Sequence, residues 1–400
     1  MPYSFVPEFI NPTGSPIREL HKYVGLPGMI SFAAGYPDAE LFDVDGLGEA
    51  AGAAFSDPKV CLQYTATEGL PALKAQLIEL MHTRAARVAN DELLVTTGSQ
   101  QGFDFLLRVL VAPGDCVLVE NPTYPATLQA LALHNAHVVG LAADKDGIDV
   151  EALAAWLSAN HHQRPVKFLY TVPSFGNPSG ATLSLSRRRA LLELAVKYRF
   201  LIVEDDPYSG LRFSGDQIAS VLSLADQVQG GRDWVVHLSS LSKIVAGGLR
   251  VGWMVAPREI TRRCLIAKQT SDLCSSPWTQ AIAAHYLSSN RLAFHLPRIL
   301  ASYQNKCEML SALLRTAFGK DIEFDQPEGG MFLWPSVTGV DSTVLLQHAI
   351  EKKVLFVPGT AFYVEKSVRT NFRLSYATPS QQDLAAGVDR LKLAYDEAKT

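Results

Sequence analysis

Cysteine is scarce in this 400-residue chain, and its pattern excludes two kinds of site. The five cysteines are odd in number and never spaced as Cys-x-x-Cys, so neither a disulfide framework nor a thiolate zinc site is predicted. The ten histidines include the pair His161-His162 in a polar stretch, but no His-Glu-x-x-His pattern exists. We therefore predict no metal site and interpret most of the cysteines as small core residues: Cys61, Cys116, Cys264, Cys274 and Cys307.

Strong net charge and long apolar runs are also missing. The 36 basic and 40 acidic residues give a net charge of -4, which offers no electrostatic attraction for nucleic acid or an anionic membrane. No apolar run is long enough to span a bilayer, and the first residues lack the basic start and apolar segment of a signal peptide. The expectation is a cytoplasmic globular protein, and the length with 48% hydrophobic residues favours two domains.

The stretch richest in chemistry is Leu238-Ser-Ser-Leu-Ser-Lys-Ile-Val-Ala-Gly-Gly-Leu-Arg-Val-Gly-Trp253. Apolar runs on both sides predict two buried strands, which places Lys243 on a loop at a strand edge, where ligands gather in α/β sheets. A lysine amine forms Schiff bases with carbonyls, and burial lowers its pKa. Ser240, Ser242 and Arg250 suit a phosphate. Taken alone, an ordinary solvated loop explains this stretch equally well.

A second anion-binding signal lies between residues 93 and 111. The sequence predicts a strand, a glycine turn and then a helix, with Ser99 and Gln100 in the first helical turn. Free N–H groups and the positive end of the helix dipole make such a turn a cradle for anions. The alternative is that Ser99 is no more than a helix cap.

Three further predicted strands end in polar side chains. Tyr124 and Asn177 follow two of them, and Asp205 with Tyr208 follows the third. Alternating strands and helices of this length predict a largely parallel, doubly wound sheet, whose strand ends meet at one edge. A buried carboxylate there is costly unless it is paired, which favours a cation such as a protonated pyridine nitrogen. Core packing is the alternative for the tyrosines.

Five motifs occur in an order that is typical of one enzyme family: Thr97-Gly-Ser-Gln-Gln-Gly102, Val172-Pro-Ser-Phe-Gly-Asn-Pro-Ser-Gly180, Glu204-Asp-Asp-Pro-Tyr208, Ser240-Leu-Ser-Lys243 with Gly248-Leu-Arg250, and Asn371-Phe-Arg-Leu-Ser375. With them the chain resembles a fold-type I pyridoxal 5'-phosphate (PLP) aminotransferase of class I/II. Within that group it is most similar to the 2-aminoadipate and kynurenine/2-aminoadipate aminotransferases. The likeness extends from about residue 15 to residue 376.

The resemblance implies an aspartate aminotransferase-like α/β fold in two domains. Residues 46–285 are expected to form a large PLP-binding domain with a mostly parallel, doubly wound sheet. Residues 286–400 are expected to form a smaller α+β domain, whose motion closes the site. The segment 1–45 joins the small domain and covers the active site. A homodimer with shared active sites is also implied, in which Tyr64 reaches the phosphate bound by the neighbouring subunit.

The resemblance also assigns roles around the cofactor. Lys243 forms the internal aldimine and then moves the α-proton of the substrate, while Asp205 pairs with the pyridine nitrogen. The ring would lie against Tyr124, with its 3'-oxygen bonded to Asn177 and Tyr208. The residues implied to hold the phosphate are Ser99, Gln100, Ser240, Ser242 and Arg250.

Substrate recognition is implied for a second set of residues. Arg373 would bind the α-carboxylate through a two-pronged salt bridge together with Asn177; without the family match, a surface arginine is the simpler interpretation. Gly35 and Tyr36 are placed at the substrate, and Arg18 matches an arginine that meets a distal carboxylate in relatives. Both Arg18 and Tyr36 are otherwise interpretable as surface residues.

Three departures from the family bear on specificity and the loops. Tyr36 replaces a smaller aliphatic residue and is expected to favour or exclude aromatic substrates if it lines the pocket. Gly247 stands where many relatives have proline, and Gly176 takes a place often held by a polar side chain.

Three functions are weighed. The first is transfer of an amino group from an α-amino acid of 2-aminoadipate, aromatic or branched-chain type to a 2-oxo acid such as 2-oxoglutarate. The second is another PLP reaction, such as decarboxylation, racemisation or β-elimination, because a fold does not fix the reaction. The third is a ligand sensor without enzymatic activity, which is disfavoured because the sequence shows no basic helix-turn-helix segment.

Overall fold

The computed structural model describes residues 3–10, 14, 16–365 and 368–399. Its helices are α1 Pro16–Glu19, α2 His21–Val24, α3 Val44–Phe55, α4 Pro58–Cys61, α5 Pro71–Thr83, α6 Ser99–Leu110, α7 Pro125–Leu133, α8 Val150–Asn160, α9 Leu185–Tyr198, α10 Val221–Leu224, α11 Arg258–Gln269, α12 Pro277–Ser288, α13 Arg291–Phe318, α14 Ser342–Glu351 and α15 Gln381–Ala398. Its strands are β1 Ile30–Ser31, β2 Leu93–Thr96, β3 Cys116–Asn121, β4 His137–Asp144, β5 Gly147–Ile148, β6 Val166–Thr171, β7 Leu201–Asp205, β8 Val235–Ser240, β9 Gly252–Val255, β10 Ile322–Glu323, β11 Phe332–Leu333, β12 Ser336–Val337, β13 Val354–Leu355, β14 Val357–Pro358 and β15 Phe372–Ser375.

An eight-stranded sheet forms the centre of the chain, in the order β2-β9-β8-β7-β6-β3-β4-β5. The inner neighbours β4, β3, β6, β7 and β8 pair in parallel, whereas β9 runs antiparallel to both β8 and β2. Strands β7 and β8 are buried along their whole length, as expected when helices cover both faces of a parallel sheet. The predicted mostly parallel α/β sheet is therefore confirmed.

The remaining strands form small sheets built mainly from the last third of the chain. β11, β15 and β14 make a three-stranded antiparallel sheet, and β10 pairs with β12. The first strand of the chain, β1, pairs in parallel with β13. The 28-residue helix α13 packs against α15, which closes the chain. Strand β15 is buried throughout, so it holds its residues rigidly beside the cavity described below.

Helix starts follow the local chemistry of the sequence. The Ser184 side chain accepts a hydrogen bond from the Arg187 amide at the start of α9, and Ser276 does the same for Thr279 at α12. The predicted helix start at Ser15-Pro16 agrees with α1, which begins at Pro16, while Ser15 lies outside the described residues. In the described ranges, no helix combines the length and the apolar character that a membrane crossing requires.

Four of the five cysteines are buried and the fifth, Cys274, is half-buried, and all five are free thiols. The interpretation of most of them as small core residues is therefore confirmed.

Candidate active site

A cavity of about 860 Å³ opens where the parallel strands end. Strands β7 and β8 deliver Asp205 and Ser240 to it directly, and the segments after the other strands add further polar groups. All predicted site residues except Tyr64 line this cavity: Arg18, Gly35, Tyr36, Ser99, Gln100, Tyr124, Asn177, Asp205, Tyr208, Ser240, Ser242, Lys243, Arg250 and Arg373. Tyr64 is 77% exposed and does not line this cavity of its own chain.

Lys243 lies in one turn of π-helix, Ser242–Ala246, rather than in the irregular loop that the sequence predicted. Single π-helical turns are rare and often mark functional sites. The Lys243 Nζ atom donates to the carbonyl oxygen of Gly35 at 2.8 Å. Burial lowers the pKa of this amine to about 8, and the positive charges of Arg373 and Arg250 add to the effect. The neutral amine, which a nucleophile or base requires, is therefore far more populated near neutral pH than it is for an exposed lysine.

Asp205 is a buried carboxylate with one oxygen left unpaired. Its Oδ2 atom accepts a hydrogen bond from the Tyr170 hydroxyl at 2.8 Å, while Oδ1 has no partner among the described residues. Burial raises its pKa to about 6, against the opposing effect of the Tyr170 hydroxyl. The carboxyl is thus mostly ionised at neutral pH, and a buried charge with a free oxygen calls for a cationic ligand.

Ser99, Gln100, Ser240, Ser242 and Arg250 form a group that we call the anion cup. Helix α6 begins at Ser99, and no side chain caps its first turn, so its free N–H groups remain available for a ligand. The turn before it requires glycine, because Gly98 has φ +81° and a Cβ there would lie 2.6 Å from Nη2 of Arg250. On the other side, the Ser242 backbone amide donates to Oγ of Ser240. A cation, three hydroxyls and a helix N-terminus together suit a phosphate.

Arg373 on β15 is almost completely buried. Its Nη1 and Nη2 atoms donate to Oδ1 of Asn177 at 2.7 Å and to the Ala33 carbonyl oxygen at 2.6 Å, while Nε has no partner among the described residues. Burial lowers its pKa to about 10. Within the described ranges no carboxylate pairs with this guanidinium, so it is ready to bind an anionic ligand.

Aromatic rings surround this guanidinium and the adjacent cavity wall. The Arg373 guanidinium lies 4.3 Å from the ring centroid of Phe332 and 5.2 Å from that of Phe362. Tyr208 meets Phe332 edge to face at 6.0 Å. Burial raises the pKa of both Tyr124 and Tyr208, so their hydroxyls stay protonated and able to donate.

The outer end of the cavity is formed by the start of the chain. The Tyr36 hydroxyl lies 2.8 Å from Nε2 of His21, and both rings line the cavity together with Arg18. Gly35 leaves room for the Phe332 ring, because a Cβ at this position would lie 3.1 Å from it. A guanidinium, an imidazole and a phenol ring therefore line this outer end of the cavity.

Comparison with known proteins identifies the family. The model of aminotransferase class I and II matches residues 28–391 of this chain. The chain belongs to the class I and II aminotransferases. It is 36% identical over 381 residues to aromatic-amino-acid aminotransferase 1 of Thermococcus litoralis, covering 94% of this chain and 90% of the relative.

Two solved structures show the same fold. The kynurenine aminotransferase of Pyrococcus horikoshii, solved with PMP, KYN and KYA, has a TM-score of 0.93 and 35% identity over 98% of this chain and 97% of its own. The α-aminoadipate aminotransferase of Thermus thermophilus, solved with N-(5'-phosphopyridoxyl)-L-leucine, has a TM-score of 0.87 and 34% identity over 96% and 95% of the two chains. The predicted resemblance to this aminotransferase family and the predicted fold are confirmed.

The sequence analysis missed several residues of this aminotransferase cavity, among them Tyr170 and His21. Tyr170 donates to Asp205 because Tyr170 pairs with Val203, which lies on the same face of β7 as Asp205. The sequence does not reveal this contact, since it depends on the register of β6 against β7. His21 had no signal, because its role depends on how the first segment folds over the cavity. Asp206, which the sequence analysis left out of catalysis, does not line the cavity and accepts from the Ser209 amide.

Proposed function

We propose that this aminotransferase uses PLP to move an amino group from an α-amino acid to a 2-oxo acid such as 2-oxoglutarate. The observation that carries the proposal is one cavity that combines a lysine amine, an unpaired buried carboxylate, an anion cup and a buried arginine. Each group matches one part of a phosphorylated pyridine aldehyde or of its amino-acid substrate. The molecules present in two similar structures support the same assignment.

The residues of the cavity fit PLP part by part. The anion cup would hold the phosphate, the free Oδ1 of Asp205 would accept from the protonated ring nitrogen, and Tyr124 would lie against the ring. Asn177 and Tyr208 would donate to the 3'-oxygen. When bound, PLP supplies an aldehyde and a ring that withdraws electrons from the substrate α-carbon. Asp205 favours that chemistry because its negative charge keeps the ring nitrogen protonated.

Lys243 is assigned the two tasks of holding the aldehyde and transferring the α-proton. Its lowered pKa supports both, because a neutral amine is the reactive form in each. The bond from its Nζ to the Gly35 carbonyl fixes the amine at the wall of the cavity. Gly35 thus takes part through its backbone, which any residue supplies, and through the space that its missing side chain leaves for the Phe332 ring.

Arg373 and Asn177 are assigned to the substrate α-carboxylate. The two side chains are already bonded to each other, which holds the guanidinium in place before a substrate arrives. Arg373 is fixed on a buried strand, so a carboxylate bound there orients the α-carbon relative to Lys243.

The outer cavity supports substrates with long or aromatic side chains. Arg18 favours a distal carboxylate, whereas the Tyr36 ring offers an aromatic surface. The relatives named for aromatic amino acids, 2-aminoadipate and kynurenine agree with this range. We therefore propose 2-aminoadipate and aromatic amino acids as the first donors to test, with branched-chain amino acids next.

A half-reaction assay tests the proposal. The holoenzyme is mixed with one amino acid and no acceptor, and pyridoxamine phosphate is measured together with the 2-oxo acid product. A transaminase forms both in equal amounts, and adding 2-oxoglutarate then restores PLP and yields glutamate. Release of carbon dioxide, racemised amino acid or an eliminated side chain without pyridoxamine phosphate would assign one of the other PLP reactions instead.

A further inference from the structure

A completely buried lysine lies behind the anion cup, in a position that the proposed chemistry does not use. Lys268, on α11, has a side chain with 0% exposure. Its Nζ atom donates to both oxygens of Asp272, at 2.8 and 2.9 Å, and to Oγ of Ser275 at 2.9 Å. A buried ion pair is weak evidence for a role in stability, since apolar replacements of similar size are often tolerated. We therefore ask whether the Lys268–Asp272 pair instead holds the neighbouring anion cup in place.

Hydrogen bonds lead from this ion pair to the cup. Gln101 donates from Nε2 to Oδ2 of Asp272 at 2.8 Å, and its Oε1 accepts from the Thr97 amide at 2.8 Å. The Thr97 and Ser275 hydroxyl oxygens lie 3.1 Å apart. Thr97 is thus held both at its amide, by Gln101, and at its side chain, by Ser275. Both partners also accept from Nζ of Lys268, Oγ of Ser275 at 2.9 Å and Oε1 of Gln101 at 3.5 Å.

A further hydrogen bond connects Thr97 to the anion cup itself. The Thr97 carbonyl oxygen accepts from Nη2 of Arg250 at 3.3 Å, and Thr97 precedes the Gly98-Ser99 turn where α6 begins. The position of Thr97 therefore sets both the arginine and the helix N-terminus that face the phosphate. The long Gln101 side chain would otherwise sample several rotamers, and fixing it in advance removes an entropy cost from anion binding.

We propose that Lys268 and Asp272 are a positioning pair for the anion cup, acting through Gln101 and Thr97 on Ser99, Gln100 and Arg250. The inference rests on the proposed function, because the anion in question is the phosphate of PLP. Neither residue of the pair lines the cavity, so its effect should be confined to ligands that carry a phosphate.

The test compares PLP with pyridoxal, which has the same aldehyde and ring but no phosphate. Apoenzyme is prepared from the holoenzyme, and equilibrium binding of each compound is measured by absorbance. Lys268→Met is expected to weaken PLP by about 10–100-fold, the scale found when residues that orient metal ligands are removed, and to leave pyridoxal unchanged. Lys392→Met is the matched control, since Lys392 and Asp396 form an exposed i,i+4 pair of the same type; it should change neither affinity.

Gln101→Leu keeps the ion pair and removes the hydrogen bonds of Gln101 to Thr97, Asp272 and Lys268, so it tests the inference even if Lys268→Met fails to fold. It should produce the same selective loss of PLP affinity. Unchanged PLP binding in Gln101→Leu, or equal losses for PLP and pyridoxal in either variant, would overturn the inference. A wild-type protein that binds PLP no better than Lys243→Ala and forms no covalent adduct would instead overturn the proposed function, and this inference with it.

Discussion

Arg18 is the residue whose contacts bear most directly on substrate choice. It lines the outer cavity and, within the described part of the chain, pairs with no carboxylate. Tyr36 and His21 are bonded to each other beside it, so the Arg18 guanidinium is the group left free for a ligand. A distal carboxylate would gain a charged hydrogen bond here, whereas an aliphatic side chain would not.

Replacing Arg18 by alanine should therefore weaken dicarboxylic donors selectively. We expect 2-aminoadipate and glutamate to lose about 1–3 kcal/mol of transition-state binding, as for a lost charged hydrogen bond, with leucine unaffected. The measurement is kcat/KM for each donor with 2-oxoglutarate as acceptor. Lys22→Ala, at an exposed position of α2, is the control for general damage to this segment. Equal losses for leucine would show that Arg18 stabilises the segment around it rather than binding the distal carboxylate of the substrate.

At the scale of elements, Glu120 ties two neighbouring strands of the sheet together. It lies on β3, accepts from the Val172 amide at 2.8 Å and accepts from the Thr171 hydroxyl at 3.0 Å, where β6 ends. The segment that follows carries Asn177 to the cavity. Burial raises the pKa of Glu120 to about 8, against the two hydrogen bonds it accepts. The folded protein therefore keeps this carboxyl protonated at pH values where the unfolded chain has lost the proton.

Stability should accordingly depend on pH through Glu120. A raised pKa contributes stability that is complete below pH 4.5 and is lost progressively as pH rises to about 8. Glu120→Gln has no such titrating proton. As pH rises across this window, the free energy of unfolding of the wild type should therefore fall relative to that of the variant, by up to about 1.4 kcal/mol per pH unit. Urea unfolding of both apoproteins from pH 5 to 9 measures it, with Glu323→Gln at an exposed position as control. A constant difference across the range would contradict the assignment.

The strands and their contacts also show how much of the structure could be predicted from the sequence. The central strands are short apolar runs that end in glycine, proline or polar residues, so their ends and the polar groups after them were predictable. Contacts that depend on the register between strands, or on segments far apart in the chain, could not be predicted. Arg373 meets Asn177 across 196 positions, and Lys243 meets Gly35 across 208. The π-helical turn at Lys243 also has no local signal, because its surroundings rather than its residue types fix it.

At the scale of the whole molecule, we propose that the chain divides as the resemblance implied, with residues 46–285 as the large domain and 286–400 as the small one. Three contacts support placing segment 1–45 with the small domain. β1 pairs with β13, the Ser375 amide donates to the Phe32 carbonyl oxygen, and Lys306 pairs with Asp38 at 2.7 Å. Because this segment carries Gly35 and Tyr36, any motion of the small domain would move the cavity wall with it.

We also propose a homodimer in which Tyr64 completes the anion cup of its partner. Tyr64 is exposed and does not line its own cavity, and the exposed apolar residues Phe55 and Leu62 lie nearby in the chain. Exposed aromatic and aliphatic side chains of this size are typical of protein interfaces.

Hybrid dimers test this arrangement. Lys243→Ala and Tyr64→Ala subunits, carrying different affinity tags, should each have little activity alone. If Tyr64 acts across the interface, the purified hybrid contains one site with both defects and one intact site, so it should recover about half of the wild-type activity per dimer. A hybrid no more active than the average of its parents would place Tyr64 outside the partner's site.

The central claim is that Lys243 carries the cofactor, and borohydride reduction followed by peptide mass mapping tests it most directly. The reduced holoenzyme should carry one phosphopyridoxyl group per chain, on Lys243, and Lys243→Ala should carry none and lose turnover by several orders of magnitude. A phosphopyridoxyl group on Lys268 or any other lysine, or an unmodified chain, would contradict the account.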